Sequence, residues 1–343
     1  MNPILVEVLR GGCVESAHAG ALVVLDADGS VVAALGDIAR PVFPRSAVKL
    51  LQALPLVESG AADRLGLCSE ELALACASHN GEPEHVRTAA AMLAKAGLDA
   101  AALECGTHWP YFEPTQRALA QRGERPGALH NNCSGKHAGF LCLACALAQG
   151  DDVRAFAHGY VAPEHALMRE VTAALAETTG CDLEHAPRGT DGCSIPTYAI
   201  PLVALARAYA KVATGLGVAP QRGRAMRRLR EAVAAAPFMV GGSGRFDSRV
   251  MQRLGERACI KVGAEGVYCA ALPGRGLGVA IKIDDGNNAR AAEVAMAAVI
   301  EAFVRLDDDE AAFMRAFSAP RLVNWNGIEV GALRASAALR GLA

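Results

Sequence analysis

The sequence predicts an α/β (α+β) chain: one antiparallel sheet built from both chain ends, carrying a large helical insertion. Two patterns point there. Strand-like segments lie near the two termini, and segments of helical period fill the interval between them. Length agrees, because 343 residues exceed the ~250–300 at which a single core usually stops growing. The expected division is a sheet lobe over about 1–45 and 255–343 and a helical lobe over about 46–254, within one domain 1–343.

Each element has a local reason. In "GALVVLDADGSVVAAL", 20–35, two apolar β-rich runs flank a turn at Asp28–Gly29, a hairpin pattern. "GVYCAALPGRGLGVAIKIDDG", 266–286, repeats it with Pro273–Gly274 in the turn. A long helix over 287–306 follows, opened by an asparagine cap. Between the two hairpins, segments 46–59, 83–97, 134–150, 162–180 and 224–237 all read as helices. The apolar run "FLCLACALA", 140–148, is too short to cross a membrane and reads as a buried helix. No internal repeat or low-complexity linker interrupts the chain.

Composition narrows the function classes. The net charge is −2 and 52% of residues are hydrophobic. That argues against a nucleic-acid partner, whose binders show a basic face, and offers no polybasic anchor for a membrane. Residues 1–12, "MNPILVEVLRGG", lack the pattern of a signal peptide. The eleven cysteines are odd in number and scattered, which is not a disulfide framework. A cytoplasmic protein with mostly small core thiols is the expectation. Cys142–Leu143–Ala144–Cys145 has redox spacing, but it lies inside the apolar run with no βαβ pattern nearby.

Three short motifs carry chemistry together. Ser46 and Lys49 stand at i, i+3, so on a helix they share a face. A serine hydroxyl is a poor nucleophile until a base takes its proton, and a lysine serves only as the neutral amine. The plain alternative is a capped helix start with Lys49 in solvent. In "ALACASHNGEPEH", 73–85, a small-residue run ends in Ser78–His79–Asn80–Gly81, which suits a site or an ordinary turn. In "CIKVGAEGVYCAAL", 259–272, Lys261 sits between Ile260 and Val262 beside glycines that let backbone approach a ligand. In chain order these read S-x-x-K, S-x-N, K-x-G, the set that marks penicillin-binding proteins and class A β-lactamases. The step from 46 to 78 is short for a plain β-lactamase.

The stretches "RSAVKLLQALPLVESG", "LACASHNGEPEHV", "HNNCSGKHAGFL", "TDGCSIPTYAIPL", "FMVGGSGRFD" and "KVGAEGVYCAALP" resemble the asparaginase II family, the Rhizobium-type L-asparaginases. The resemblance runs from about residue 5 to about 330. It implies a serine β-lactamase/DD-peptidase-like fold, a homodimer, and hydrolysis of L-asparagine to L-aspartate and ammonia. It also implies two Ser–Lys pairs, Ser46 with Lys49 and Ser78 with Lys261, and an acidic residue beside the site, Asp191. Cys133, Lys136 and Cys193 match the family's Zn²⁺ ligands, one ion per chain. Physics makes this plausible: Cys133 stands where a helix begins, which favours thiolate, although lysine must bind as the neutral amine.

The resulting expectation is that Ser46 attacks the side-chain amide carbon while Lys49, kept neutral by nearby Lys261, takes the proton. Ammonia leaves, a β-aspartyl ester remains, and water releases aspartate. Ser78 with Lys261 relays the proton, or Ser78 is itself the nucleophile. Arg45 suits the substrate α-carboxylate as a fork, and Asp191 the α-ammonium. His79, Asn80 and His137 lie inside motif blocks; His79 and Asn80 are expected to line the substrate site. "MVGGSGRFDS", 239–248, lacks phosphate-loop spacing and reads as a tight loop leading into a helix at Asp247. Rival functions are a glutaminase, an esterase or penicillin-recognising hydrolase, and a catalytically silent zinc-binding protein.

Overall fold

Strand-forming sequence from both ends builds one sheet, wider than the two predicted hairpins. The computed structural model describes residues 1–342; residue 343, the last of the expected sheet lobe, lies outside them. The strands are β1 Ile4–Arg10, β2 Cys13–Leu25, β3 Val31–Leu35, β4 Cys259–Val262, β5 Val267–Leu272, β6 Leu277–Ile283, β7 Arg321–Val323 and β8 Glu329–Ala335. Their order is β7-β8-β1-β2-β6-β5-β4, with β3 also on β2, and every neighbouring pair is antiparallel.

β2 joins the N-terminal and C-terminal contributions. Its first half pairs with β1, from Cys13 opposite Arg10 to Ala19 opposite Ile4. Its second half pairs with β6, from Gly20 opposite Ile283 to Leu25 opposite Gly278. At the changeover, a Cβ on Gly20 would lie 2.4 Å from the Lys282 carbonyl oxygen. The β2–β3 turn is closed by Asp26, whose carboxylate accepts from the N–H groups of Asp28 and Ser30. That is an Asx-turn, the reason aspartate suits such a position.

Two units emerge from the contact pattern: Met1–Ala47 with Ala199–Gly217 and the chain from Arg253 on, and Val48–Tyr198 with Val218–Gln252. Residues 199–217 were expected in the helical lobe, yet helix Leu202–Thr214 packs with the sheet. Gly278 of β6 explains this. A Cβ there would stand 2.1 Å from the Ala206 carbonyl oxygen and from the Ala210 nitrogen, so only glycine lets the helix backbone lie this close to the strand. Every residue of β5 is buried, as expected of a strand covered on both faces. Asn287 caps the turn Asn288–Ala292, its side chain accepting from Arg290 N–H, and helix Glu293–Phe303 follows. The helix expected over 287–306 differs at its start, because Asn288–Ala292 is a π-turn.

The predicted helix 46–59, at whose start the first unit gives way to the second, is broken. A 3₁₀ turn Arg45–Val48 leads into helix Lys49–Gln52, and helix Leu54–Glu58 follows. Pro55 cannot supply the N–H a continuous helix needs and clashes with the preceding turn. The other helical segments appear as Pro83–Lys95, Ser134–Leu147, Ala166–Thr179 and Pro220–Ala235. Ser134–Leu147 is buried at every position from Ser134 to Ala144, as "FLCLACALA" implied. Two glycines bring it against helix Ser69–Ala75. A Cβ on Gly135 would meet the Leu74 carbonyl oxygen at 2.4 Å, and one on Gly139 the Ala75 Cβ at 3.0 Å. Among the described residues, no helix is long and apolar enough to cross a membrane.

These close approaches predict which glycines tolerate a methyl group. Gly278→Ala and Gly135→Ala should each destabilise by about 1–3 kcal/mol or more, since backbone atoms stand where the methyl must go. Gly274→Ala, with nothing within 4 Å of its Cβ position, should stay within about 0.5 kcal/mol of wild type. Urea unfolding of the three variants checks this; equal midpoints would show that the backbones separate freely.

Candidate active site

In the second unit the site begins with a buried lysine. Lys49 is 2% exposed, although its helix is only four residues long. Its Nζ donates to the Ala77 carbonyl (2.5 Å), to Ser78 Oγ (2.9 Å) and to Cys133 Sγ (3.1 Å). A lysine head costs several kcal/mol to bury unless acceptors replace its water, and here three do.

Ser78 stands just past the end of helix Ser69–Ala75, in a segment held from both sides. The N–H groups of Ser78 and Asn80 donate to the carbonyls of Val240 and Gly241, and the N–H of His79 donates to the Asn132 carbonyl. The segment therefore lies between the glycine-rich 240–244 loop and the turn before helix Ser134–Leu147. In that turn, Asn131 Oδ1 accepts from Cys133 N–H at 2.8 Å. The Asn131 amide donates to the carbonyls of Cys105 and Gly106.

Cys193 is brought in by a small hairpin, Arg188–Thr190 paired with Pro196–Tyr198. At its tip, Ser194 takes the left-handed conformation (φ 76°). Lys136 Nζ donates to Cys193 Sγ at 3.0 Å and stands 5.6 Å from the centre of the Phe140 ring. Cys133 and Cys193 are themselves hydrogen bonded, and that bond, with Lys49 and Lys136 nearby, holds the Cys133 thiol well below its usual range. The same bond and burial push the Cys193 thiol up. Burial pulls the Lys136 ammonium down, but Cys193 and Cys133 outweigh it and its pKa is raised. Asp191, in the same hairpin, adds to that rise.

This cluster fits a divalent metal by its chemistry. Two thiols and an amine form a soft donor set, and three protein ligands leave a fourth position open. In a tetrahedron with Zn–S of about 2.3 Å and Zn–N of about 2.0 Å, ligand atoms lie roughly 3.5–3.8 Å apart. The 3.0 Å between Lys136 Nζ and Cys193 Sγ would have to open by about half an ångström. Among the described residues, no group of three His, Cys, Asp or Glu side chains converges on such a point; lysine is the third donor here.

Other expected residues fall differently. His79 has no exposed surface. Its Nδ1 accepts from Gly81 N–H, and its Nε2 lies 3.0 Å from Ser134 Oγ. Burial keeps its pKa well below the usual histidine value. The Asn80 amide donates to Glu82 and to the Ser243 carbonyl. The side chains of His79 and Asn80, two of the four residues expected at the substrate, are thus engaged by protein groups. His137 is likewise buried and bonded through Nδ1 to the Tyr160 hydroxyl at 2.6 Å. Cys142 and Cys145 are thiols on the buried helix that donate to the Met92 and Ala96 carbonyls. Burial pushes Cys142 up to about 12, which makes it an unreactive core residue.

The remaining predicted residues belong to the sheet unit. Arg45 has φ 51°, unusual for a residue with a side chain. Ser46 follows it in the 3₁₀ turn. The turn is tied down by the Tyr209 hydroxyl, which donates to the Ala47 carbonyl at 2.5 Å. It is also packed against Gly263, where a Cβ would sit 2.4 Å from the Pro44 carbonyl oxygen. Lys261, on β4, is 3% exposed, and its Nζ donates to the Val262 carbonyl. The K-x-G glycine thus serves close approach of backbone to the Ser46 turn.

Spacing in the sequence pairs Ser46 with Lys49, and the family resemblance pairs Ser78 with Lys261. The structure adds a bond that spacing does not suggest, Lys49 to Ser78, across 29 positions. It also adds Glu82, which binds the glycine-rich loop. No local period signals either contact. The only hint was that "SHNGE" and "VGGSG" both crowd polar and glycine residues at the ends of apolar runs.

No curated protein matches the chain. Two solved structures of Mglu in its native form are similar to it, the second in the presence of 4.3 M NaCl. Identity is 18% and 17%, with a TM-score of 0.37 for both. The match covers 84% of this chain but only 66% and 62% of theirs, so the chain spans just under two thirds of those proteins. The L-asparaginase II family profile matches residues 6–335, which include every motif described above, and the chain belongs to that family.

Proposed function

We propose that the protein is an L-asparagine amidohydrolase, releasing L-aspartate and ammonia by Ser–Lys chemistry on a serine β-lactamase/DD-peptidase-like fold. The observation that carries this reading is the buried 2.9 Å hydrogen bond from Lys49 to Ser78. A lysine whose head meets a serine hydroxyl away from water is equipped to move that serine's proton. Family membership supports the amide as the bond attacked.

In this reading Ser46 Oγ bonds to the side-chain amide carbon and Lys49 takes its proton. The Lys49–Ser78 bond returns a proton to the amide nitrogen as the C–N bond breaks, so the nitrogen leaves as ammonia. Water then cleaves the β-aspartyl ester on Ser46. Lys261 is the second cation of the site. Arg45 grips the substrate α-carboxylate and Asp191 the α-ammonium. The 2.9 Å bond also favours a second assignment, with Ser78 as nucleophile and Lys49 as its direct base. Cys133, Lys136 and Cys193 would hold one Zn²⁺ per chain, which when bound supplies a fixed positive charge near the substrate. Homodimeric assembly and a cytoplasmic location complete the proposal.

Ammonia release from L-asparagine, with L-glutamine alongside, tests the activity. Wild type should act on L-asparagine. Ser46→Ala and Lys49→Met should each fall by at least about 100-fold. Glutamine turnover is expected to be weaker, though a pocket discriminates one methylene by only ~1–3 kcal/mol. No ammonia from either amide would end this reading. Peptide mapping of the trapped ester identifies the nucleophile, Ser46 or Ser78.

For the metal, purified wild type should carry about one Zn²⁺ per chain. Cys133→Ser and Cys193→Ser should each lose it, read by elemental analysis. Full zinc occupancy in both variants would remove these thiols from the ligand set.

A further inference from the structure

The buried carboxylate of Glu82 has no part in the proposed chemistry, yet it makes more hydrogen bonds than a loop residue needs. Its residue is 5% exposed. Oε1 accepts from Ser243 N–H at 2.7 Å and from the Asn80 amide at 3.2 Å, and Oε2 accepts from the Ser243 hydroxyl at 2.7 Å. All three partners are donors, so a carboxylate matches them without any partner reversing its role. From the N-cap position of helix Pro83–Lys95 the side chain thus reaches the glycine-rich loop.

That loop supports the reactive segment. The carbonyls of Val240 and Gly241 receive the N–H groups of Ser78 and Asn80, both at 2.9 Å. The Asn80 amide donates again to the Ser243 carbonyl at 3.0 Å, and the Arg245 guanidinium reaches Asn80 Oδ1 at 3.4 Å. Gly242 completes the fit. Its φ is +110°, and a Cβ there would lie 2.4 Å from Glu82 Oε1, so the carboxylate occupies the space a side chain would need. The loop is anchored from behind by Ser248, whose Oγ accepts from Gly242 N–H and donates to the Pro237 carbonyl.

We propose that Glu82 is a positioning residue: by strapping residues 240–245 onto residues 78–80, it sets the register of Ser78 against Lys49. The inference rests on the Ser–Lys reading above and deepens it. A displacement of about 1 Å at a reacting group can cost 10²-fold in rate. Loss of the strap should therefore show in the chemical step and leave substrate affinity nearly unchanged.

The test compares steady-state kinetics of wild type, Glu82→Ala, Glu82→Gln and Ser243→Ala on L-asparagine, with circular dichroism to check folding. Glu82→Ala should lower kcat by about 100-fold with KM within threefold. Glu82→Gln keeps the volume and the Oε1 contacts, so it should recover kcat to within tenfold of wild type. Ser243→Ala removes only the hydroxyl bond to Oε2, so it should fall between, and it should add nothing when combined with Glu82→Ala, which already removes that bond's acceptor. Should Glu82→Ala not fold, Ser243→Ala and Glu82→Gln carry the test, and wild-type kcat in both overturns the proposal. A folded Glu82→Ala with wild-type kcat, or one in which only KM rises, overturns it too. Wild type inactive on L-asparagine would instead refute the Ser–Lys amidohydrolase reading itself.

Discussion

The head of Lys49 is the constraint on which the helical unit's site depends. It is almost wholly out of water and needs acceptors, and the chain brings one from each of three directions: a helix-end carbonyl at Ala77, a hydroxyl at Ser78 and a sulfur at Cys133. Satisfying one buried lysine head in this way makes the end of helix Ser69–Ala75 and the start of helix Ser134–Leu147 meet at a fixed height. Gly135 makes that meeting sterically possible, because its missing Cβ is what admits the Leu74 carbonyl. A polar requirement and a packing requirement thus agree on one geometry, a mutual consistency that marks a well-specified site.

Charge in the cluster beyond Lys49 is balanced in the same manner. Two lysines in close quarters would repel, and the thiols answer them. The bond between Cys133 and Cys193 divides the two thiols, one pulled low and the other pushed up, beside the heads of Lys49 and Lys136. Asp191 stands close enough to favour the charged form of Lys136. The same donors that balance the lysines have the softness and number that suit Zn²⁺ with an open position. At other buried thiols desolvation is the largest influence. Cys142 and Cys105, each pushed up to about 12, show how the same residue type behaves without a cation that outweighs desolvation.

Much of the architecture was legible because its signals are local. Turn chemistry at Asp26–Ser30 and at Pro273–Gly276 marks both hairpins, and the 3.6-residue period marks the helices. Less was legible where the deciding partner is distant. β1 and β8 do not declare themselves by alternation, since their pairing partners lie at opposite chain ends. Helix Leu202–Thr214 has an ordinary amphipathic pattern. Its place on the sheet follows from the glycine at 278, some seventy residues later. The break in the 46–59 helix was signalled by Pro55, yet the helical period on either side of it masked the interruption.

The sequence by itself determined which chemistry is present: serines, lysines and cysteines in blocks whose order and wording match one family, on a chain with strands at its ends and helices between. It determined this because residue type and local spacing carry that information directly. Only the tertiary structure decided who touches whom. Lys49 meets Ser78 across 29 positions and Lys136 meets Cys193 across 57. His79 and Asn80 turn inward to protein partners, and Glu82 straps a loop 161 positions away. The physical reason is common to all of these. Buried polar groups must find partners, and which partner lies within reach is set by how helices and loops pack, which no short-range pattern encodes.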